Sequence, residues 1–348
     1  MTTAATSGRT DAGASNERRL EAIETVGETA TPVTNAIFAR VPAGAVAALP
    51  GFLNAEQRAE LARFKPSSAN YKRKMLQFGV GGDAPGFEKA GLLNLQVPEE
   101  VHTVVGNRQP AGNLHLCDLF VDVLTAAGAS IGAGDRILDF GASSGRVIRN
   151  LAAYYPKAVC EACDPRRDTI EWAAAHIPKV RFFVSDVMPP LPVEAGHYKA
   201  VYAISVWSHF SEKAALAWFS EMHRVIAPGG LLVFTTHGYA SILHRKRRAD
   251  PGPARIARLL DGLDAGRLLF DRHPAKSQAP DLDRDNWGVA FIPKTWVETR
   301  LADGWEVALF QQGRLGNNQD VYVLRRRPGA ARPSPIRNRG FLSRLFGR

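Results

Sequence analysis

The chain is poor in cysteine. Cys117, Cys160 and Cys163 are the only three in 348 residues. They cannot frame a disulfide-held fold of this length, which fits a reducing, cytoplasmic setting. Cys160 and Cys163 form a C-x-x-C, but no second pair or histidines follow at ligand spacing, so no metal site is expected. No run of about 18 apolar residues is present, so no segment reads as spanning a membrane. The opening MTTAATSGRTDAGASNERRL lacks the apolar core of a secretory signal. The 31 Gly and 22 Pro follow no period, which excludes a collagen-like or repetitive chain.

Acidic residues are the minority. Asp+Glu number 34 against Lys+Arg 44, for a net charge of +10 and a pI of about 9.7. The surplus is uneven. Residues 325–348 hold eight Arg and no Lys, Asp or Glu, so the other 324 residues carry only +2. The basic pI belongs to a tail and gives no argument for a nucleic-acid substrate. Aromatics interleaved with basic residues, or a nucleic-acid-binding module, are also missing. What is present is a 45% hydrophobic composition with 22% charged residues, enough for a globular core. The length suits about two domains, or one large domain with extensions.

Composition and periodicity divide the chain. Residues 1–30 are small and polar and read as a disordered N-terminus. Residues 31–113 read as a helical extension, with NAEQRAELARFK (54–65) capped by Asn54. Residues 114–326 read as one α/β domain, opened by a helix over 114–129 with Leu116, Phe120, Val121 and Leu124 on one face. From residue 136 strands and helices alternate: RILDF, AVCEACD, VRFFVSD, YKAVYAISV and LLVFTTH are strands, with helices between most of them. Apolar strands alternating with helices imply a parallel sheet covered on both faces. A helix over 293–304 and two hairpin-like strands follow. Residues 238–292 are too long for a connector and read as an inserted lid over the C-terminal edge of the sheet, where ligands bind. Residues 327–348 form the basic tail.

The loop after the first strand carries the chemistry. Asp139-Phe-Gly141-Ala142-Ser143-Ser-Gly145 lies between a strand and a helix. Glycines there let backbone approach a ligand. A dinucleotide site wants G-x-G-x-x-G, whereas this loop is G-x-S-x-G with Asp139 just before it. A carboxylate repels a pyrophosphate and attracts a cation. The G-x-S-x-G of hydrolases also needs triad partners in order, and a second strand follows here instead. Asp164 ends the second strand, 19 residues after Gly145, where an acid can accept ribose hydroxyls. Asp186 ends the third strand.

ILDFGASSGRVIRNLA, with the AISVWSHF…HRVIAPGGLLVF block downstream, resembles the class I S-adenosylmethionine-dependent methyltransferases over about 114–326. The resemblance implies a Rossmann-like sheet of seven mostly parallel strands, the last antiparallel. It implies S-adenosylmethionine as cofactor, with Asp139, Gly141, Ala142, Ser143 and Gly145 at its methionine end and Asp164 on the ribose. It further implies Asp186 on the adenine amino group, Val187 on the ring, and Ser205 near the methionine. Ser143 departs from the family's middle glycine: it tolerates positive φ less well, yet its hydroxyl can donate to a carboxylate. His209 is the candidate base or acceptor-orienting group, His237 a second, and His115 a residue that could cover the pocket. The acceptor is expected to be a small molecule, a sugar or a lipid-linked compound, methylated on O or N. Two rival readings stand beside this one: an NAD(P)-dependent oxidoreductase and a non-catalytic cofactor-binding protein. Arg245-Lys246-Arg247-Arg248 is a candidate clamp for an anionic acceptor. FLSRLFGR, at the end of the tail, has the pattern of a foot on an anionic membrane surface.

Overall fold

The computed structural model describes residues 15–28, 30–102, 107–249, 252–272 and 283–329. Among these residues nine strands form the sheet: β1 (Arg136–Phe140), β2 (Val159–Asp164), β3 (Val180–Val184), β4 (Tyr198–Ala203), β5 (Ile226–His237), β6 (Leu269–Arg272), β7 (Gly288–Phe291), β8 (Trp305–Leu315) and β9 (Gln319–Arg326). The first five pair in parallel in the order β3-β2-β1-β4-β5. β9 then pairs antiparallel with β5, and β8 antiparallel with β9. These seven are the expected sheet with its antiparallel last strand. The other two, β6 and β7, are an antiparallel ribbon that the inserted segment adds.

Side chains alternate across the sheet, as the period of two requires. Ile137, Ala162, Tyr202, Val233 and Val321 face one core, shared with the helices Pro32–Phe38, Ala69–Gly81 and Leu114–Ala126. Leu138, Phe140, Val201, Phe234 and Tyr322 face the other, under the helix Glu212–Val225. The N-terminal extension therefore shares its core with the sheet. Its helix Ala55–Leu61 starts with the expected cap: Asn54 accepts from the Gln57 amide and Gln57 answers to the Asn54 amide.

Two expectations change. Residues 15–28, assigned by composition to a disordered terminus, are ordered, and 15–21 are helical. Leu20 is buried with Ile256, Leu259 and Leu260. Arg19 pairs with Asp261 at 3.0 Å and Asp264 at 2.5 Å. Small polar composition hid one apolar anchor and one bidentate cation. Likewise the insertion is no loose lid. It holds the helices Tyr239–Ala249 and Pro253–Asp264, and β7 bonds along the chain leaving β4, with Gly288 N–H donating to His209 O at 2.7 Å and Ala290 N–H to Ser208 O at 2.8 Å.

One buried ion pair fastens the extension to the domain. Asp118 on the helix Leu114–Ala126 is 1% exposed. It accepts from the Thr34 amide at 2.9 Å, from the Thr34 hydroxyl, and from Arg73 at 2.7 Å. Removing one partner of such a pair leaves the others buried and unmatched, at a cost of about 3–5 kcal/mol. Asp118→Ala is therefore expected to lower stability by that order and to open residues 30–102 to limited proteolysis. Unchanged cleavage and melting would show that apolar contacts alone hold the extension.

Candidate cofactor and acceptor site

The parallel register brings the C-terminal ends of β1 to β4 to one edge, so the residues just past them meet there. The loop after β1 is clamped to the end of β2. The amides of Gly141 and Ala142 donate to Cys163 O at 2.9 and 3.0 Å, and the amide of Ser143 donates to Asp164 Oδ2 at 2.9 Å. The second oxygen of Asp164 accepts from the Arg166 amide at 3.0 Å. Asp164 thus ends β2 as expected and holds the loop as well.

The glycines are needed where they stand. Gly141 has φ +80°, and a Cβ there would come within 2.6 Å of Val206. Gly145 has φ +70°, and a Cβ would meet Phe182 at 2.8 Å and Ile177 at 2.9 Å. Ser143 takes φ +48° although it carries a side chain, a strain that the Asp164 bond holds in place. The hydroxyls of Ser143 and Ser144 are buried without a partner beside the loop.

Asp139 is 4% exposed, and its Oδ2 is buried without a hydrogen-bond partner. Burial first, and then the charge of Asp164, push its pKa up to about 7; Tyr202 and Arg146 offset part of this. Asp164 is also raised, again chiefly by burial. Two desolvated carboxylates on neighbouring strands, with amide donors from the loop between them, set a local field that favours a cation.

The other site residues sit further out. Asp186 lies two residues past β3 and is exposed. Val187 is 45% exposed, one of two large apolar side chains so exposed among the described residues, and its carbonyl accepts from Trp218. Ser205, two residues past β4, has φ +60°. Its amide donates to Thr235 Oγ1 at 2.8 Å and its hydroxyl to Gln319 Oε1 at 3.1 Å, so its side chain turns toward β9. His209 stacks on Trp287 at 4.7 Å, with Nδ1 2.7 Å from Gly288 O. That contact places the proton on Nδ1 and makes Nε2 the basic nitrogen. His237 is buried. Burial, then the charge of Arg245, push its pKa down to about 3, and Nδ1 lies 3.0 Å from Ala290 O. A group that basic only below pH 3 holds structure and is a poor base.

Sequence reasoning missed several members. Tyr202, in register with Asp139 on the adjoining strand, offsets part of the rise in its pKa. Asn113 accepts from Arg146 at 3.1 Å and ties the preceding helix to the loop. Thr235 and Gln319 set Ser205. The alternation of β4, β5 and β9 carried the signal for Tyr202 and Thr235, but none marked Asn113. The basic run does not form one clamp: Arg245 lies over the Phe291 ring at 5.4 Å, Lys246 pairs with Glu17 at 3.0 Å, and Arg247 and Arg248 are exposed.

The raised Asp139 sets a sign. A carboxyl whose pKa rises from about 4 unfolded to about 7 folded contributes stability below pH 4, which is lost as pH rises to 7. Asp139→Asn should therefore raise the melting temperature of the ligand-free protein, more at pH 8 than at pH 5. Equal gains at both pH values would show that the carboxyl titrates normally.

Residues 137–230 match the family model of a methyltransferase domain. No curated protein sequence matches the chain. Among solved structures, an S-adenosylmethionine-dependent methyltransferase from Methanosarcina mazei is 18% identical, with 57% of this chain and 94% of that one covered at a TM-score of 0.40. A magnesium protoporphyrin IX methyltransferase from Synechocystis, with bound S-adenosylhomocysteine, is 16% identical over 61% and 82% at 0.40. A protein from Pyrococcus horikoshii is 16% identical over 62% and 92% at 0.41. At these TM-scores the likenesses carry no weight beside the domain match. That match spans β1 to the start of β5, the strands whose ends carry Asp139 and Asp164, so this stretch of the chain is similar to a methyltransferase domain.

Proposed function

We propose that the enzyme moves the methyl group of S-adenosylmethionine to an oxygen or nitrogen of a small-molecule, sugar or lipid-linked acceptor. The observation that carries the site assignment is Asp139: a buried carboxylate with an unpartnered oxygen, beside Asp164, at the glycine loop. A cationic ligand suits that pair of carboxylates, and a pyrophosphate does not. This also weighs against the NAD(P) reading. When bound, the cofactor supplies an electrophilic methyl on a sulfonium, which an acceptor displaces in line.

The chain's own residues bind and align. Asp139 would attract the cofactor's ammonium end. The buried hydroxyls of Ser143 and Ser144 would donate to its carboxylate. Asp164 would accept from the ribose, keeping lone pairs beyond its two amide contacts. Gly141, Ala142 and Gly145 leave the loop open to backbone approach. Val187 offers an apolar face to the adenine, with Asp186 beside it for the amino group. Ser205 stays near the methionine through Thr235 and Gln319. His209, its ring fixed by Trp287 and Gly288, would orient the acceptor or take its proton.

Calorimetry on the full chain tests this. S-adenosylmethionine and S-adenosylhomocysteine should bind, and NAD and NADP should not. Affinity for S-adenosylmethionine should weaken below pH 7, as Asp139 gains its proton, by up to about tenfold per pH unit. Binding of NAD without S-adenosylhomocysteine would reverse the assignment. In turnover assays with radiolabelled cofactor, His209→Ala should lose rate while binding S-adenosylhomocysteine normally.

Residues 330–348 lie outside the described residues, while Arg325 and Arg326 belong to β9. The five arginines of 330–348 and the apolar FLSRLFGR support a foot on anionic membrane for a cytoplasmic enzyme. Removing 328–348 should abolish cosedimentation with anionic vesicles; retained binding would dismiss the foot.

A further inference from the structure

A cleft of about 170 Å³ opens between the helix Ala69–Gly81 and the first turn of the helix Leu114–Ala126. Engineered cavities of about 150 Å³ take a benzene ring, so this one has room for a single six-membered ring. Its lining is rich in carboxamides: Asn70, Gln77 and Asn107 line it, with Phe64 as an apolar wall and His115 at its edge. Its cations already have partners. Arg73 pairs with Asp118 and Glu28, and Lys74 with Glu60 at 2.5 Å. An anion would find little uncompensated charge here. The carboxamides are each engaged on one side only: Asn70 Oδ1 accepts from Arg73 at 3.2 Å, Asn107 Oδ1 from the Gln109 amide at 2.9 Å, and Gln77 Nε2 donates to Gln109. The other end of each, two amide NH2 groups and one carbonyl oxygen, offers both donors and an acceptor, which is what vicinal hydroxyls require.

The cleft is built and it adjoins the cofactor loop. A Cβ on Gly112 would lie 2.3 Å from the Asn107 amide carbon, so glycine is what lets that amide lie where it does. The Asn107 carbonyl accepts from Asn113 Nδ2 at 2.7 Å. Asn113 in turn accepts from Arg146, the residue after Gly145, at 3.1 Å. The Gln77 amide bonds Gln109, whose carbonyl accepts from the buried Arg149 at 2.9 Å. Two chains of hydrogen bonds thus run from the cleft, one from the main chain of Asn107 and one from the Gln77 side chain, to the segment that follows the glycine loop.

We propose that this cleft is the acceptor pocket and takes a neutral polyhydroxylated ring, of the kind a sugar presents. The proposal rests on the cofactor assignment above and adds the place and chemistry of the acceptor. Phe64 would cover the apolar face of the ring, and the amides would bond its hydroxyls.

Saturation-transfer NMR on the full chain, with saturating S-adenosylhomocysteine, tests it. The probes are glucose, mannose and galactose, with phenol and inorganic phosphate as comparators. At least one hexose should receive saturation, and phenol should not displace it. Asn107→Leu and Gly112→Ala should cut that transfer at least fivefold while S-adenosylhomocysteine affinity, by calorimetry, stays within twofold. The Gly112 variant keeps every cleft side chain, so its loss reports displacement of Asn107. No transfer to any hexose with S-adenosylhomocysteine still bound would overturn the cleft and leave the cofactor assignment standing. Displacement of the hexose by phosphate would overturn it in favour of an anion site. Absence of S-adenosylhomocysteine binding in the unmodified chain would bring down the assignment beneath it.

Discussion

Three amides fix the loop on which the site depends. Gly141 and Ala142 hold the Cys163 carbonyl, and Ser143 holds the Asp164 carboxylate. A strand-to-helix loop with this much positive φ would otherwise sample many shapes. Here it is tied to the end of the adjacent strand, and one side chain serves both as fastener and as prospective ligand group. Asp164 can do both because a carboxylate has about four acceptor positions and the two amides take only two. Substituting it would disturb the loop as well as any ligand contact it makes.

The same edge of the sheet carries a cost. Asp139 sits in β1, between β2 and β4, with its carboxyl out of water and one oxygen unmatched. Left to itself the fold would do better with an amide or an apolar residue there. A buried carboxyl oxygen without a partner at the end of a parallel strand marks a candidate ligand position. The strained backbone of Ser143 and Ser205 lies at the same edge of the sheet, just past β1 and β4, and both residues are held by side chains from neighbouring strands.

Much of this was legible in the sequence. The strand-helix alternation from residue 136, the loop glycines and the acids at successive strand ends are local patterns, and local patterns survive folding. Other parts were not legible for physical reasons. The order of residues 15–28 depends on Leu20 and Arg19 finding partners more than 200 residues away. The helix Pro253–Asp264 did show its signature, Pro at the first turn and Ile256, Leu259, Leu260 and Leu263 at helical spacing, but the Pro- and Asp-rich surroundings masked it. The turn of Ser205 toward Gln319 and the carboxamide cleft arise from contacts across distant segments, and no window of sequence holds them. His209 and His237 looked alike as strand-end histidines, and only burial and the Arg245 charge separate them.

The way the insertion joins the sheet limits how the enzyme can breathe. Gly288, Ala290, Ile292 and Ser211 each place a backbone amide on a carbonyl across the seam between the β4 exit, the β5 end and the inserted ribbon. At about 1 kcal/mol apiece, swinging the ribbon aside would cost on the order of 4 kcal/mol, leaving it open roughly once in a thousand molecules. That wall therefore acts as masonry, and it keeps the Trp287 ring fixed under the imidazole of His209.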